Sequence, residues 1–400
     1  MTGMGIVSAI GHNLAEFGNN LFAGKSGVES VKAFDASRFR TQIGAEVGEI
    51  DFSTYVERRQ LNMMDRLSLL SIVAADQAIG NASLDVNKDI REMGVVLGSG
   101  LGPSSSIENT VVQAVNGQRL RPTSVVKILL NSPAATLCER YQCRGASNMH
   151  VTACAAASHA LAQAADCIRH GTLDLCLAGG CDAFPSETLF AAWDALGVMS
   201  AGGVNPAEAM RPFSKARNGF VIGEGAAMLV LESKEHALNR GATILAEFAG
   251  SGTSSHAPNM TKPSLEGMTA AMTKAVEAAG IRIEEVGYIN AHGTATEIND
   301  LLETQAIQAV FGEHSRRLQI SSTKAAHGHA MGASGAMEAV ATILSINRGV
   351  AAPTLNLREP DPACNLNFTP LRAVKMDCEY ALSNSFAFGG HYVTLAFKRG

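Results

Sequence analysis

Aromatic residues and charges are both scarce in this chain. Phe, Trp and Tyr make up 5% of its 400 residues, with one Trp, and charged residues account for 17%. With 46% hydrophobic residues alongside, that excludes a disordered chain and predicts a globular protein with a large core. The net charge is −5 and there is no basic run, so nothing invites a nucleic-acid backbone. No apolar run reaches the roughly 18 residues a membrane span needs. The opening Met1-Thr2-Gly3-Met4 lacks the charged-then-apolar order of a secretory signal. The expectation is a cytoplasmic protein that uses no membrane. The eight cysteines contain no C-x-x-C, and Cys138/Cys143 and Cys176/Cys181 are each separated by four residues. Structural zinc is not expected from such spacing, and most of the thiols should be reduced core residues.

What the chain does have is Gly, Ala and an alternation of elements. Gly94–Gly98, Met149–Ala153, Leu173–Gly180 and Ala226–Leu231 read as buried strands. Ala270–Ala279 and Glu338–Ile346 read as helices, and the alternation predicts a layered α/β architecture. The length allows two domain-sized lobes.

Cys154 is the most informative residue. It stands where the β-branched run Val151-Thr152 breaks into Ala155-Ala156-Ala157-Ser158-His159, a helix running towards Ile168. A thiol delivered onto the first turn of a helix meets the positive end of the macrodipole, where the thiolate is favoured and the pKa falls. Such a sulfur can carry an acyl group. Two further strand ends repeat the device. Tyr288-Ile289-Asn290 runs into Ala291-His292-Gly293-Thr294-Ala295-Thr296, ahead of a helix from Leu301 to Phe311. Leu318-Gln319-Ile320-Ser321-Ser322-Thr323-Lys324 runs into His327-Gly328-His329 and a Gly/Ala-rich helix with Glu338. Ligand clefts in α/β proteins lie at such carboxyl ends. Gly98-Ser99-Gly100-Leu101-Gly102 also follows a strand, but it lacks G-x-G-x-x-G and a following Lys-Ser/Thr, so it is no nucleotide loop.

Taken in order, Thr152-Ala153-Cys154, Asn290 to Thr296, Ser322-Thr323-Lys324 with Gly328-His329, and Asn384-Ser385-Phe386-Ala387-Phe388-Gly389-Gly390 resemble the motifs of the β-ketoacyl-acyl-carrier-protein synthases. The likeness is nearest to synthase II and to the ketosynthases of type II polyketide systems. It also takes in Met64-Asp65-Arg66 and Arg217 to Gly225, and so covers the whole chain. Relatives usually carry a few more strand residues ahead of Thr2.

The resemblance implies an α/β, thiolase-like, five-layer αβαβα fold with two pseudo-symmetric halves, 1–240 holding Cys154 and 241–400 holding His292, Lys324 and His329. The implied reaction is decarboxylative Claisen condensation of a malonyl group on acyl carrier protein with an acyl group on Cys154. It implies His292 and His329 as enolate donors, Lys324 and Glu338 as a network around His329, and an oxyanion hole from the backbones of Cys154 and Phe388. Thr261, Thr294, Thr296 and Phe386 are expected along the pantetheine and substrate path, and Leu101 at the acyl pocket near a dimer interface. No metal or organic cofactor is implied, because the pantetheine arrives on the carrier. The implied partners are a phosphopantetheinyl acyl carrier protein and either a second copy or a chain-length factor.

Three positions depart from the family's habit. His391-Tyr392 stand where Thr-Asn is usual, His327 replaces a small or hydroxyl residue beside Gly328-His329, and Asn218 stands where Asp is common. The first two are expected to add imidazole and phenol near the substrate, which suggests a specialised polyene or aromatic polyketide enzyme. The competing readings are a chain-length factor, which usually loses the nucleophile; a thiolase, for which Cys364 and Cys378 lack the glycine context; and an initiating synthase, which uses Cys-His-Asn.

Overall fold

The computed structural model describes residues 1–86 and 88–400. Its frame is two five-stranded mixed sheets. The first contains β1 (Gly3–Ser8), β2 (Gly94–Gly98), β3 (Ser147–His150), β4 (Leu175–Asp182) and β5 (Gly225–Glu232), in the spatial order β1-β5-β4-β2-β3. The second contains β6 (Ala246–Ser255), β7 (Val286–Asn290), β8 (Gln319–Ser321), β9 (Tyr380–Ala387) and β10 (His391–Arg399), in the order β6-β10-β9-β7-β8. In each sheet four strands run the same way and one, β5 or β10, runs against them, at matching places. The sheets therefore repeat one topology strand for strand, a duplication that is not visible as sequence identity.

Helices form the other three layers. Helix α1 (Arg66–Asn81) covers the outer face of the first sheet, and α2 (Ala156–Arg169) lies between the sheets. Helices α3 (Leu265–Ala279) and α4 (Glu297–Phe311) cover the second sheet from outside, while α5 (Ser334–Arg348) joins α2 in the middle. A strand covered on both faces needs no alternation, and β5 accordingly reads Gly-Ala-Ala-Met-Leu-Val-Leu-Glu, buried in all but its last residue. The middle layer is tight because its contacts are small. A Cβ on Gly98 would sit 2.2 Å from the backbone of Ala156, and one on Gly335 would sit 2.1 Å from Ser158 Oγ. Ser158 and Ser385 hydroxyls meet at 2.8 Å, tying α2 to β9. One apolar cluster runs through both sheets, including Leu161, Leu229, Ile343 and Leu395.

The strands differ from expectation at their ends. The one leading to Cys154 stops at His150 instead of Ala153, because the chain must turn sharply before the helix. Strand β4 runs on to Asp182, two residues beyond Gly180. Among the described residues no helix is long and apolar enough to cross a membrane.

Candidate active site

Cys154 sits in a single 3-10 turn, Ala153–Ala155, directly ahead of α2. Ala153 has φ +47°, a left-handed conformation that costs a residue with a Cβ. The second half contains the same turn: Met331 has φ +43° and opens the 3-10 turn Met331–Ala333 ahead of α5. The Cys154 side chain is buried and borders a cavity of about 340 Å³. Burial pushes its thiol up to about 12, against the pull of the Lys324 cation, and Asp182 pushes the same way as burial. This corrects the expectation of a depressed pKa. Removing a thiolate from water outweighs what the short helix end returns, and the resting thiol is protonated.

His329 and His292 converge on that sulfur. His329 Nε2 lies 3.1 Å from Cys154 Sγ, and its Nδ1 lies 2.9 Å from Ser334 Oγ. The two imidazole rings stand 5.5 Å apart, nearly perpendicular. His292 is aimed by a carboxylate, since Glu303 accepts from the backbone N–H groups of His292 and Gly293, both at 2.8 Å. Gly293 is required there: its φ is +37°, and a Cβ would sit 2.5 Å from that of Ser322. Lys324 Nζ lies 3.3 Å from His292 Nδ1 and forms a fully buried ion pair with Glu338. An ammonium can only donate, so His292 Nδ1 accepts and the ring carries its proton on Nε2. Burial, and then Lys324, hold both histidines well below the usual imidazole range, so both are neutral near pH 7. Lys324 touches His292, whereas the expectation set it to orient His329, whose Nδ1 partner is Ser334.

Burial holds Glu338 up to about 7 despite Lys324, and Glu303 up to about 7 despite its N–H donors. A third buried carboxylate, Asp182, accepts from Gly100, Leu101 and Gly332 N–H and from Ser99 Oγ. It joins the turn after β2 to the turn before α5.

Of the residues expected on the substrate path, Thr261, Thr294, Thr296, Phe386 and Phe388 all border the cavity. Thr294 and Thr296 hydroxyls pair at 2.8 Å, and Phe386 lies 5.8 Å from the His292 ring. Phe388 stacks on Trp193 at 5.8 Å. Lys324 and Glu338 stand behind the histidines, outside the cavity wall. Leu101 does not border it; its backbone N–H is held by Asp182. His327 also fails to reach the cavity. Its ring is fully buried, 3.1 Å from Thr323 Oγ1 and packed against Phe17. Tyr392 does border the cavity, where its phenol oxygen accepts from Ser264 N–H at 2.7 Å. His391 instead stands edge-on to His159 at 6.0 Å.

Sequence reasoning missed Phe220, Trp193, Ser334, Glu303 and Asp182. Phe220 packs edge-on to His329 at 5.3 Å, and its signal was Gly219 before it, at φ +124°. Ser334, five residues after His329, opens a helix and could have been noticed as a hydroxyl there. Nothing local marks Glu303 or Asp182, whose partners are distant in sequence.

A protonated thiol, a neutral histidine against it and a second one beside it, at matched strand ends of a duplicated α/β fold, define a thiolase-like condensing enzyme. Residues 1–237 match the β-ketoacyl synthase N-terminal domain and residues 245–358 the C-terminal domain. The chain belongs to the β-ketoacyl synthase family. It is 39% identical to 3-oxoacyl-acyl-carrier-protein synthase 2 of Coxiella burnetii, over the whole of this chain and 98% of that one. It is equally 39% identical to nodulation protein E of a Rhizobium species, again over the whole chain and 98% of the relative. Among solved structures, the ishigamide ketosynthase/chain length factor superposes with a TM-score of 0.93 at 33% identity, covering all of this chain and 98% of that one.

Proposed function

We propose that the chain elongates acyl groups by condensing malonyl-acyl-carrier protein with an acyl thioester on Cys154, releasing carbon dioxide and β-ketoacyl-acyl-carrier protein. The observation that carries this reading is the meeting of His329 Nε2 with Cys154 Sγ at 3.1 Å, beside a second neutral imidazole 5.5 Å away. In acyl transfer the Cys154 thiol proton ends on the departing carrier thiol, so no net proton is consumed. His329, in contact with Cys154 Sγ, carries that proton. With the Ser334 hydroxyl accepting from Nδ1–H, Nε2 is free to take that proton. With the hydroxyl donating to Nδ1, Nε2–H is free to donate in the next step.

Loss of carbon dioxide from the malonyl group puts negative charge on its thioester oxygen. His292 and His329 donate to that oxygen through Nε2–H, each worth about 3 kcal/mol in a dry site. Neutral donors suit this step, because a cation there would also stabilise the unreacted carboxylate. The enolate carbon attacks the acyl carbonyl, the backbones of Cys154 and Phe388 receive the oxyanion, and the thiolate leaves and takes up one proton. Thr261, Thr294 and Thr296 supply hydroxyls along the pantetheine path. The expected setting is the cytoplasm.

A second ketosynthase-like chain completes the reading. Strand β3 is a sheet edge, Val151 just past it is 55% exposed, and in the segment between β2 and β3 Val111 is 54% exposed, Val115 80% and Val125 57%. An open sheet edge and exposed apolar side chains are what a protein partner covers. Retention of the thiol and both histidines favours the condensing member of such a pair over a chain-length factor. The cavity-facing Tyr392 supports a specialised substrate. Indifference of the purified enzyme to saturated against polyenoyl carriers would count against that last point. The main test is intact-mass analysis after incubation with acyl-carrier protein. His329→Ala should slow acyl loading but leave it measurable, while carbon dioxide release from malonyl-carrier falls about 100-fold; normal release would clear His329 of its role.

A further inference from the structure

The two C-x₄-C pairs share a spacing and differ completely in setting. Cys176 and Cys181 lie on β4, five positions apart, and an odd offset on a strand sends side chains to opposite faces. Both are buried, in separate apolar clusters on the two sides of the sheet. Cys138 and Cys143 instead straddle a helix end. The helix Ser132–Tyr141 stops at Gln142, which is left-handed at φ 53° and ψ 36°. The Cys143 N–H returns to the Cys138 carbonyl at 3.1 Å. That six-to-one bond past a left-handed residue is the Schellman closure, and it brings the side chains of its first and last residues together. Both cysteines are partly exposed, unlike Cys176 and Cys181.

We propose that Cys138 and Cys143 are a redox-active dithiol that closes reversibly to a disulfide, a modification site separate from Cys154. The oxidant class is a low-molecular-weight disulfide such as oxidised glutathione. The Cys138 thiolate attacks one sulfur of that disulfide, and the displaced thiolate takes up a proton. Cys143 loses its proton and attacks the Cys138 sulfur, releasing a second small thiol. Two electrons pass from the protein pair to the reagent, one S–S bond forms and one breaks. The assignment of roles follows the local chemistry. The Cys143 thiol and, more weakly, Ser147 favour the Cys138 thiolate and bring it down to about 6 against the effect of burial, while the same contact raises Cys143. Cys138 is therefore the attacking sulfur and Cys143 the resolving one.

The test uses the full-length protein, reduced and then equilibrated in glutathione buffers of increasing oxidation, blocked with an alkylating agent, denatured and cut with trypsin. Cleavage after Arg140 separates the two cysteines, so a disulfide leaves two tryptic peptides joined until a reductant is added. The expected result is that joined pair, rising along a two-electron curve and fully reversed by dithiothreitol. Cys143→Ser should stop the reaction at a Cys138–glutathione adduct, with circular dichroism confirming the fold. Overturning results are separate glutathione adducts on Cys138 and Cys143 in the unaltered protein, both thiols remaining alkylatable at oxidant levels that modify Cys167, or a folded Cys143→Ser protein in which Cys138 does not react.

Discussion

The two halves of the molecule use the same backbone for different ends. Each turns left-handed at one residue, Ala153 or Met331, makes one 3-10 turn and starts a middle-layer helix. In the first half that turn presents Cys154 to the cavity. In the second its counterpart is Gly332, whose N–H goes to Asp182 at 2.6 Å and whose Cβ would lie 2.1 Å from Gly100 N. The turns after β2 and β7 match as well. Gly100 and Leu101 give their N–H groups to Asp182, as His292 and Gly293 give theirs to Glu303. A buried carboxylate holding two successive N–H groups is the shared device. The difference lies in what the turn presents: in one half a backbone closed against its twin, in the other an imidazole. A duplicated scaffold thus presents one thiol and one pair of imidazoles instead of two of each, because packing at the pseudo-dyad leaves room for a side chain on one side only.

Removing the presented group is the largest perturbation available. Cys154→Ala should abolish acyl loading completely by intact mass while leaving the melting temperature nearly unchanged, since the side chain faces a cavity. Retained loading would remove the nucleophile assignment. The next effect comes from the tautomer. Lys324→Met frees His292 Nδ1 and should lower carbon dioxide release about 100- to 1,000-fold, the loss of one oriented donor, with loading of Cys154 retained. Equal loss in both steps would mean that Lys324 acts on the fold alone. The counterpart turn gives a stability effect. Gly332→Ala must displace the Gly100 backbone and should cost about 1–3 kcal/mol in urea unfolding, as overpacking does. A neutral result would show that the second turn is not closed as described.

The smallest effect is one of pH. Burial holds His327 down to about 3, while in the unfolded chain it titrates near 6.5. A group with a depressed folded pKa takes up its proton in the unfolded state first, so its contribution is lost as pH falls below about 6.5. Between pH 7 and 5 this one residue should cost about 2 kcal/mol. His327→Leu should flatten the slope of unfolding free energy over that range by close to one proton, and an unchanged slope would place the titration elsewhere.

Much of the site was legible because its groups sit at strand ends with local signals. Cys154 follows a β-branched run and precedes an Ala-rich helix, while His292 and His329 each stand beside glycine in a polar turn. The residues that tune them were not legible. Glu303 aims His292 from a separate helix, and Asp182, which holds Gly100, reaches Gly332 across 150 positions of the chain. His327, two residues from His329, was expected at the cavity and lies instead against Phe17. Residues two apart in an irregular turn can point anywhere.

The sequence by itself determined the layered α/β plan, the order of the Cys, His and His turns, and the identity of the groups that meet at the cavity. Those properties are written in hydrophobic runs, small-residue helices and short motifs, all of which act over a few residues. Only the tertiary structure decided the protonation of the thiol, the tautomer of His292 and which of the duplicated turns carries a side chain. Each of these depends on burial and on partners from distant strands, and desolvation is a property of the assembled core, not of any segment.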